Sequence, residues 1–509
     1  MSAPNTFIMV CAGIKTDKSY NHVVLFNSED DRFRYYQSMA VKTFERYTYQ
    51  RIDKYMTVGC NAEEIEACNY IVWRNSSFSG KTYYAFIERV EYIADNTTRI
   101  YFTIDIMQTW FPYCTMNPCF VERSHVSNDS IGANIIDDGL DCGPYKDFIH
   151  QNIRFTPKIV FLTTFDAKYK NSAGKMDRNI YSGLTQHTFE NEKEANDFIN
   201  GAVEAGVSDG IVSCYMSSGG YGETSVTVPT PSTVDGYAPK NKKLFTYPYY
   251  YERVYDNANQ MNGVFRLELF NSSARVIKVY DSDGLGNPEV GAIPINYSGK
   301  TSDTNESWIN GSYCRPWPVC SYNTDIYKAY MAQNASAVGV ENMGMVMSGV
   351  KAAINLGGMV GSAATLQFGK AAEQGISAIN EGISIAGTMA KREDMDRLPP
   401  QSHGTPSGSI AYQFATSVYI NCSTHCITSE YAKMIDNYWS VYGYPIREVQ
   451  TPNIRSRRNW NYIKTGNACF HGTIPPSELR AINDIFNRGA TFWHSPAAVG
   501  NYSLDNSII

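Results

Sequence analysis

The chain has 509 residues, of which 18% are charged and 13% aromatic, with 37 tyrosines and a formal net charge of −6. That length suggests about three domains and allows a substantial core. A mildly acidic chain excludes bulk electrostatic binding to nucleic acid, and its wealth of tyrosine suits β-rich structure with large contact surfaces.

The opening residues Met1-Ser2-Ala3-Pro4-Asn5-Thr6 carry no basic stretch followed by a long apolar run, so no secretory signal is read there. The 12 cysteines are therefore expected to fold in a reducing cytoplasm as thiols. Residues 83–93 predict a strand, and Ala94-Asp95-Asn96-Thr97 supplies a turn. The next strand places Ile100, Phe102, Ile104 and Ile106 on one face and Arg99, Tyr101, Thr103 and Asp105 on the other. Asp137-Asp138-Gly139 and Gly143-Pro144 mark a break. Beyond it come an apolar run ending at 161–164, a helix over 190–205 and loop-rich sequence over 216–243. Strands are predicted again at 244–254, 264–270 and 276–280, and Asp281-Ser282-Asp283-Gly284 reads as a hairpin turn.

Residues 331–390 differ from the rest. Phe368 is the single aromatic between Tyr330 and Tyr412, and residues 352–369 form an uncharged run bounded by Lys351 and Lys370. As a helix that run would span ~27 Å, close to the ~30 Å hydrocarbon core of a bilayer. Ala353, Gly357, Gly361, Thr365 and Gly369 recur every fourth residue, a ladder that lets helix backbones approach closely in lipid. Ile376, Ile379, Ile383 and Ala386 continue on one helical face. The strongly apolar members Ile354, Leu356, Val360, Leu366 and Phe368 contribute roughly 2–3 kcal/mol to insertion while Asn355, Gln367 and the glycines work against it, so one copy would insert marginally at best and several acting together are expected. A flexible Gly/Ala linker and a buried hairpin of packed helices are the soluble alternatives.

A charged run over 391–397 closes at Leu398-Pro399-Pro400, and 401–409 reads as a linker. Ser429 caps a helix with Tyr431, Met434, Ile435, Tyr438 and Tyr442 on one face, ended by Gly443 and Pro445. A second helix spans 476–488, with Leu479, Ile482 and Phe486 inward and Gly489 as its stop, before a short strand at 491–494.

Nothing in the sequence assembles an active site. GxSxG, phosphate-loop and HExxH patterns are absent, and the carboxylate pairs Glu63-Glu64 and Asp137-Asp138 are sequence neighbours. Cys422-Ser423-Thr424-His425-Cys426 has no second ligand pair, so neither a metal nor another cofactor is expected. Arg455, Arg457 and Arg458 lie beside Trp460 and Tyr462. They suit nucleic-acid contact, or pairing with acids of a neighbouring subunit, the reading we favour. The Tyr247-Pro248-Tyr249-Tyr250-Tyr251 cluster suits sugar stacking or subunit packing.

In chain order, the blocks Tyr83-Tyr84-Ala85-Phe86, YFTIDIMQTW over 101–110, Phe120-Val121-Glu122-Arg123 with His125-Val126, and Tyr247-Pro248-Tyr249 are distinctive. So are the apolar segment with Leu398-Pro399-Pro400, Pro452-Asn453-Ile454-Arg455, Asn461-Tyr462, the 484–489 helix end, Trp493-His494 and Gly500-Asn501-Tyr502-Ser503. Together they resemble the distal tail (tail knob) proteins of small short-tailed phages of the Salasvirus group. Between roughly 156 and 240 the chain departs from that pattern.

The resemblance implies a mainly β chain with some α, whose tail-tube-type β-barrel domains form a ring, with a long hydrophobic helical or loop insert. Its expected segments are a tube-forming domain over 1–140, an irregular peripheral region over 141–243, a second tube domain over 244–330, the membrane-active loop over 331–398 and a tube-completing α+β segment over 399–509. It further implies a non-enzymatic homohexamer at the virion tail tip, made in the host cytoplasm. Genomic DNA would leave through the hexamer without sequence-specific binding, and collar, tail-tube and tail-tip proteins would be its neighbours. Insertion into host membrane lipid is expected over 343–387, through Met343, Met345, Met347, Ala353, Ile354, Leu356, Gly357, Met359, Val360, Gly361, Leu366, Phe368, Ile376, Ile379 and Ile383. The arginine block falls in the tube portion, which favours subunit contacts by Arg455, Arg457 and Arg458. The alternative is a receptor-binding tail protein whose middle region recognises host cell-wall glycan.

Overall fold

The alternation around residues 83–106 is realised as a hairpin of Thr82–Ala94 with Thr97–Ile104, in register Ile87 to Phe102 and Val90 to Ile100. The second strand stops at Ile104, two residues earlier than its alternation predicts. The Asp105 carboxylate accepts hydrogen bonds from the Met107 and Gln108 amides, at 3.0 and 3.1 Å, and so opens the short helix Ile106–Thr109. This computed structural model describes residues 5–47, 54–75, 80–156, 158–177, 184–207, 210–217, 222–257, 260–282, 288–297, 310–314, 319–321, 405–407 and 418–509.

The chain divides into two units. The first comprises Met1–Gly143, Gly236–Leu244 and Ser429–Ile509, and the second Pro144–Asp235 and Phe245–Thr428. Both are built mainly of strands, with fewer helices, in keeping with the fold class expected above.

In the first unit the hairpin belongs to a six-stranded antiparallel sheet. Its strand order is Ala40–Tyr47, Thr6–Ala12, Cys68–Asn75, Thr82–Ala94, Thr97–Ile104 and Tyr55–Val58. Period-two alternation sends side chains to opposite faces, and in the central strands Thr6–Ala12, Cys68–Asn75 and the first half of Thr82–Ala94 both faces are buried. Ile8, Val10, Ile71, Trp73 and Phe102 form one core, joined by Phe44 and Met56 from the two edge strands. A flat sheet cannot bring its edges into one cluster, so the sheet curls around this core. Met9, Tyr70, Val72, Tyr84 and Phe86 form the opposite core with Ile482, Ile485 and Phe486 of helix Pro476–Arg488. That helix has its predicted limits. Gly489 ends it at φ +94°, where an added Cβ would sit 2.3 Å from Tyr462 Oη. A second sheet runs in the order His22–Val24, Ala490–Trp493, Trp460–Gly466, Cys119–Ser124 and Tyr444–Gln450.

Among the described residues the second unit holds three sheets. One orders Tyr145–Phe155, Val418–Ile427, Tyr250–Asp256 and Asn262–Phe265. Another contains Lys158–Thr163, whose Ile159 and Phe161 pack on Phe198 and Ile199 of helix Glu192–Glu204. The third pairs Gly222–Thr227 with Val276–Ser282, and Val276–Ser282 with Glu289–Pro294. The loop-rich reading of 216–243 therefore missed a strand, because Ser and Thr at Thr224, Ser225 and Thr227 satisfy β pairing as readily as a turn. The strand expected from 244 begins at Tyr250, since the Tyr249 amide turns back to the Thr246 carbonyl at 2.9 Å.

Asp105 is the buried carboxylate of the first unit's larger core. Burial pushes its carboxyl up to about 6, against hydrogen bonds from Tyr70 Oη and the Gln108 and Met107 amides that favour the charge. An unfolded aspartate titrates near ~3.9, so the folded state holds this proton more tightly. The stability it contributes is complete below the unfolded value and is lost as pH rises through about 6. Asp105→Asn should therefore gain on the parent by roughly 2–3 kcal/mol between about pH 4 and pH 7 in chemical denaturation. A difference that stays constant across that range would refute the assignment.

Candidate functional site

The helix Ser429–Tyr442 carries the aromatic stripe seen in the sequence, but that stripe is not its buried face. Ala432, Ile435, Asp436 and Trp439 are buried, while Met434, Tyr438 and Tyr442 are exposed. The inward face is decided by a charge. Asp436 accepts hydrogen bonds from Tyr237 Oη at 2.7 Å and from the Lys240 amide, the Asn241 amide and Asn241 Nδ2 at 2.9 Å. All three donor residues lie in Gly236–Leu244, the short stretch of the middle chain that returns to the first unit. Gly443 then turns the chain at φ +66°, where an added Cβ would meet the Ser124 backbone at 2.3 Å.

Around this strap sits further buried charge. Asp138 bonds to Arg123, to Lys243 Nζ at 3.1 Å and to Trp439 Nε1 at 2.6 Å. Burial lowers the Lys243 pKa, and the Asp138 carboxylate opposes that fall. Asp129 accepts from Tyr444 Oη at 2.6 Å and from the Lys242 amide at 3.1 Å, and burial raises its carboxyl. His125 Nδ1 accepts from the Tyr462 amide at 2.8 Å, so its Nε2 carries the proton given to the Ser440 carbonyl at 3.1 Å. Burial, reinforced by Arg457, pushes this imidazole down to about 3 and keeps it neutral.

The three arginines have different fates. Arg455 donates to Asn27 Oδ1 at 3.0 Å and to the Phe26 carbonyl at 3.2 Å. Arg458 is exposed and lies 3.6 Å from Asp505. Arg457 is only 5% exposed. In the tyrosine cluster Tyr249 and Tyr250 are buried, Tyr251 packs on His425 at 4.8 Å, and exposed Tyr247 lies under Arg266 at 4.0 Å. The Cys422–Cys426 pattern is divided by strand alternation, for both cysteines are buried on one face while His425 bonds Asp147 at 2.5 Å on the other. The expected membrane-insertion residues, Met343 through Ile383, lie outside the described residues. No helix among the described residues is long and apolar enough to cross a membrane.

Among the described residues, outer strands with exposed apolar side chains include the following two. Strand Tyr145–Phe155 is an outer strand, and Phe148 and Ile149 are exposed, Ile149 to 55%. Strand Tyr444–Gln450 is another, with Val449 72% exposed opposite Phe120 in register.

Residues 218–507, more than half of the chain, match the family model described as Bacillus phage phi29 tail knob protein gp9, C-terminal domain. The chain belongs to that tail knob family. Residues 4–115 match the N-terminus of the caudoviral major tail protein, which covers the curled six-stranded sheet. The chain is 24% identical to tail knob protein gp9 of Bacillus phage PZA and 23% identical to that of Bacillus phage phi29, each over 99% of this chain and 98% of the relative. The tail knob protein gp12 of bacteriophage C1 shares the fold, with a TM-score of 0.57 at 12% identity over 99% of this chain and 100% of that one. Family membership makes the chain a tail knob protein, a component of a phage tail that associates with other tail components.

Sequence reading missed Asp436, Asn241 and Asp129, and took Asp138 as part of a break. A signal was present in Asp436, a lone charge between Ile435 and Trp439 on a helix face. Asp436→Ala would leave the Tyr237 hydroxyl and the Lys240 and Asn241 amides without their acceptor. We expect a loss of about 3 kcal/mol by urea denaturation, with new proteolytic cleavage within 236–244. An unchanged midpoint would show that the strap does not depend on this carboxylate.

Proposed function

We propose that the chain forms a homohexameric tube at the tail tip through which the genome leaves, closed by its hydrophobic segments until they enter the host membrane. The observation that carries this reading is the uncharged 352–369 run, bounded by Lys351 and Lys370, within a tail knob family. Six copies would together supply ~12–18 kcal/mol from their apolar residues against the opposing cost of Asn355, Gln367 and the glycines, and the ladder of small residues would let the inserted segments pack together. Lys351 and Lys370 would reach the headgroups with their charged ends.

Assembly into a ring is supported by the two outer strands Tyr145–Phe155 and Tyr444–Gln450. Unpaired backbone groups beside exposed Phe148, Ile149 and Val449 favour the addition of a strand from a neighbouring subunit. Exposed Arg458, and Arg455 beside it, would meet acids of that neighbour. A net charge of −6 suits a conduit that DNA passes without adhering. No catalytic step belongs to this reading.

The test is dye release from liposomes by the intact protein and by a form lacking residues 343–387, at neutral and mildly acidic pH. Electron microscopy must first show the same ring for both. Leakage from the intact ring alone is expected, and absence of leakage from either would remove membrane insertion from the reading. In a separate experiment, Ile149→Lys should lower the assembled mass in size-exclusion chromatography with light scattering while leaving the circular dichroism spectrum unchanged. A ring of unchanged mass would exclude this edge from the subunit interface.

A further inference from the structure

Arg457 differs from its two neighbours in having no use for its side chain. It is 95% buried, yet among the described residues its guanidinium makes no hydrogen bond and no ion pair, and its Nε is shielded from solvent without a partner. Its backbone is fully engaged, through the amide bond to Asn461 Oδ1 at 3.2 Å and the bridge to Ile508. The side chain lines a cavity of about 170 Å³, together with His125, Lys240, Ser440, Trp460 and Ser507.

The charges around it leave those donors open. The carboxylate that acts on Arg457 is Asp129, whose two oxygens are occupied by Tyr444 Oη and the Lys242 amide. Asp505 also lines the cavity, but it is drawn to Arg458 and to Ser507 Oγ at 3.1 Å. His125 is neutral and both its ring nitrogens are used. Burial accordingly lowers the Arg457 pKa. Leaving a shielded Nε without a hydrogen bond is costly, and native proteins resolve such cases with a bound ion or ordered water. The planar fork of a guanidinium matches two oxygens of one anion, and charge-assisted bonds of that kind are the strong ones. Two further donors are present. Ser440 Oγ accepts from Asn241 Nδ2, which leaves its own hydrogen free, and Lys240 lines the cavity from an exposed position. A cation would be repelled, and the volume is several times the ~30 Å³ that one water occupies.

We infer that this cavity is an oxyanion site for inorganic phosphate or a small phosphate monoester, held in bidentate fashion by Arg457, with Ser440 and Lys240 as further donors. The site lies wholly within the first unit and does not depend on the membrane or assembly roles proposed above.

Equilibrium dialysis of the full chain against radiolabelled inorganic phosphate, at ionic strength held constant with chloride, tests this directly. One phosphate per chain is expected, and Arg457→Met should weaken binding roughly tenfold or more. Arg458→Gln, which removes a neighbouring exposed charge, should leave it intact. Should Arg457→Met fail to fold, Ser507→Trp blocks the cavity from an exposed wall position without altering the guanidinium, and should abolish binding. Competition by glycerol 3-phosphate would extend the site to esters, and its failure would restrict the site to the free ion. Absence of bound phosphate at millimolar concentration would mean the cavity holds only water. That result, or equal binding by the parent, Arg457→Met and Ser507→Trp, overturns the inference.

Discussion

A single buried carboxylate holds together the most discontinuous part of this chain. The first unit is assembled from three separate stretches, and the shortest, Gly236–Leu244, is too small to bury a core of its own. Its hold comes from Asp436, which gathers four donors from Tyr237, Lys240 and Asn241, and from Lys243 at the Asp138 cluster. Burying charge is favourable only when the donors are complete, and at Asp436 they are. The orientation of helix Ser429–Tyr442 follows from this. Asp436 faces inward among Ala432, Ile435 and Trp439, while Tyr438 and Tyr442 are left exposed.

The curled sheet imposes a second constraint. Because both faces of its central strands are buried, those strands carry apolar residues at consecutive positions, as in Ile8-Met9-Val10, Tyr70-Ile71-Val72 and Tyr84-Ala85-Phe86, while Ala40–Tyr47, Tyr55–Val58 and Thr97–Ile104 bury one face. One face closes on itself and the other requires a cover, which helix Pro476–Arg488 supplies from nearly four hundred residues further along the chain. The family matches follow the same division. The N-terminal match covers the curled sheet, and the gp9 match covers the later stretches that complete the unit.

Polar chemistry in the first unit is spent on holding its shape. Asp129, Asp138, His125 and Asp436 are all engaged by neighbours within that unit. Against that background the unengaged Arg457 stands out, and so do the exposed edges at Ile149 and Val449.

Local pattern was enough for much of this protein. The 82–104 hairpin, the helices at 192–204, 429–442 and 476–488 and the stop at Gly489 were legible because alternation, helical period and a glycine act over a few residues. The blocks that mark a tail knob protein were legible for the same reason. Tertiary structure alone decided the rest, because those choices join distant residues. Strand Thr97–Ile104 ends early where the Asp105 carboxylate is held in the core by Tyr70 Oη from a distant strand. Helix Ser429–Tyr442 turns Asp436 inward because Asn241 waits there. The arginines at 455, 457 and 458 look alike in sequence, and only packing makes one bonded, one exposed and one buried without a partner. Charge and polarity are properties of a residue, but whether they are satisfied depends on what the fold brings beside them.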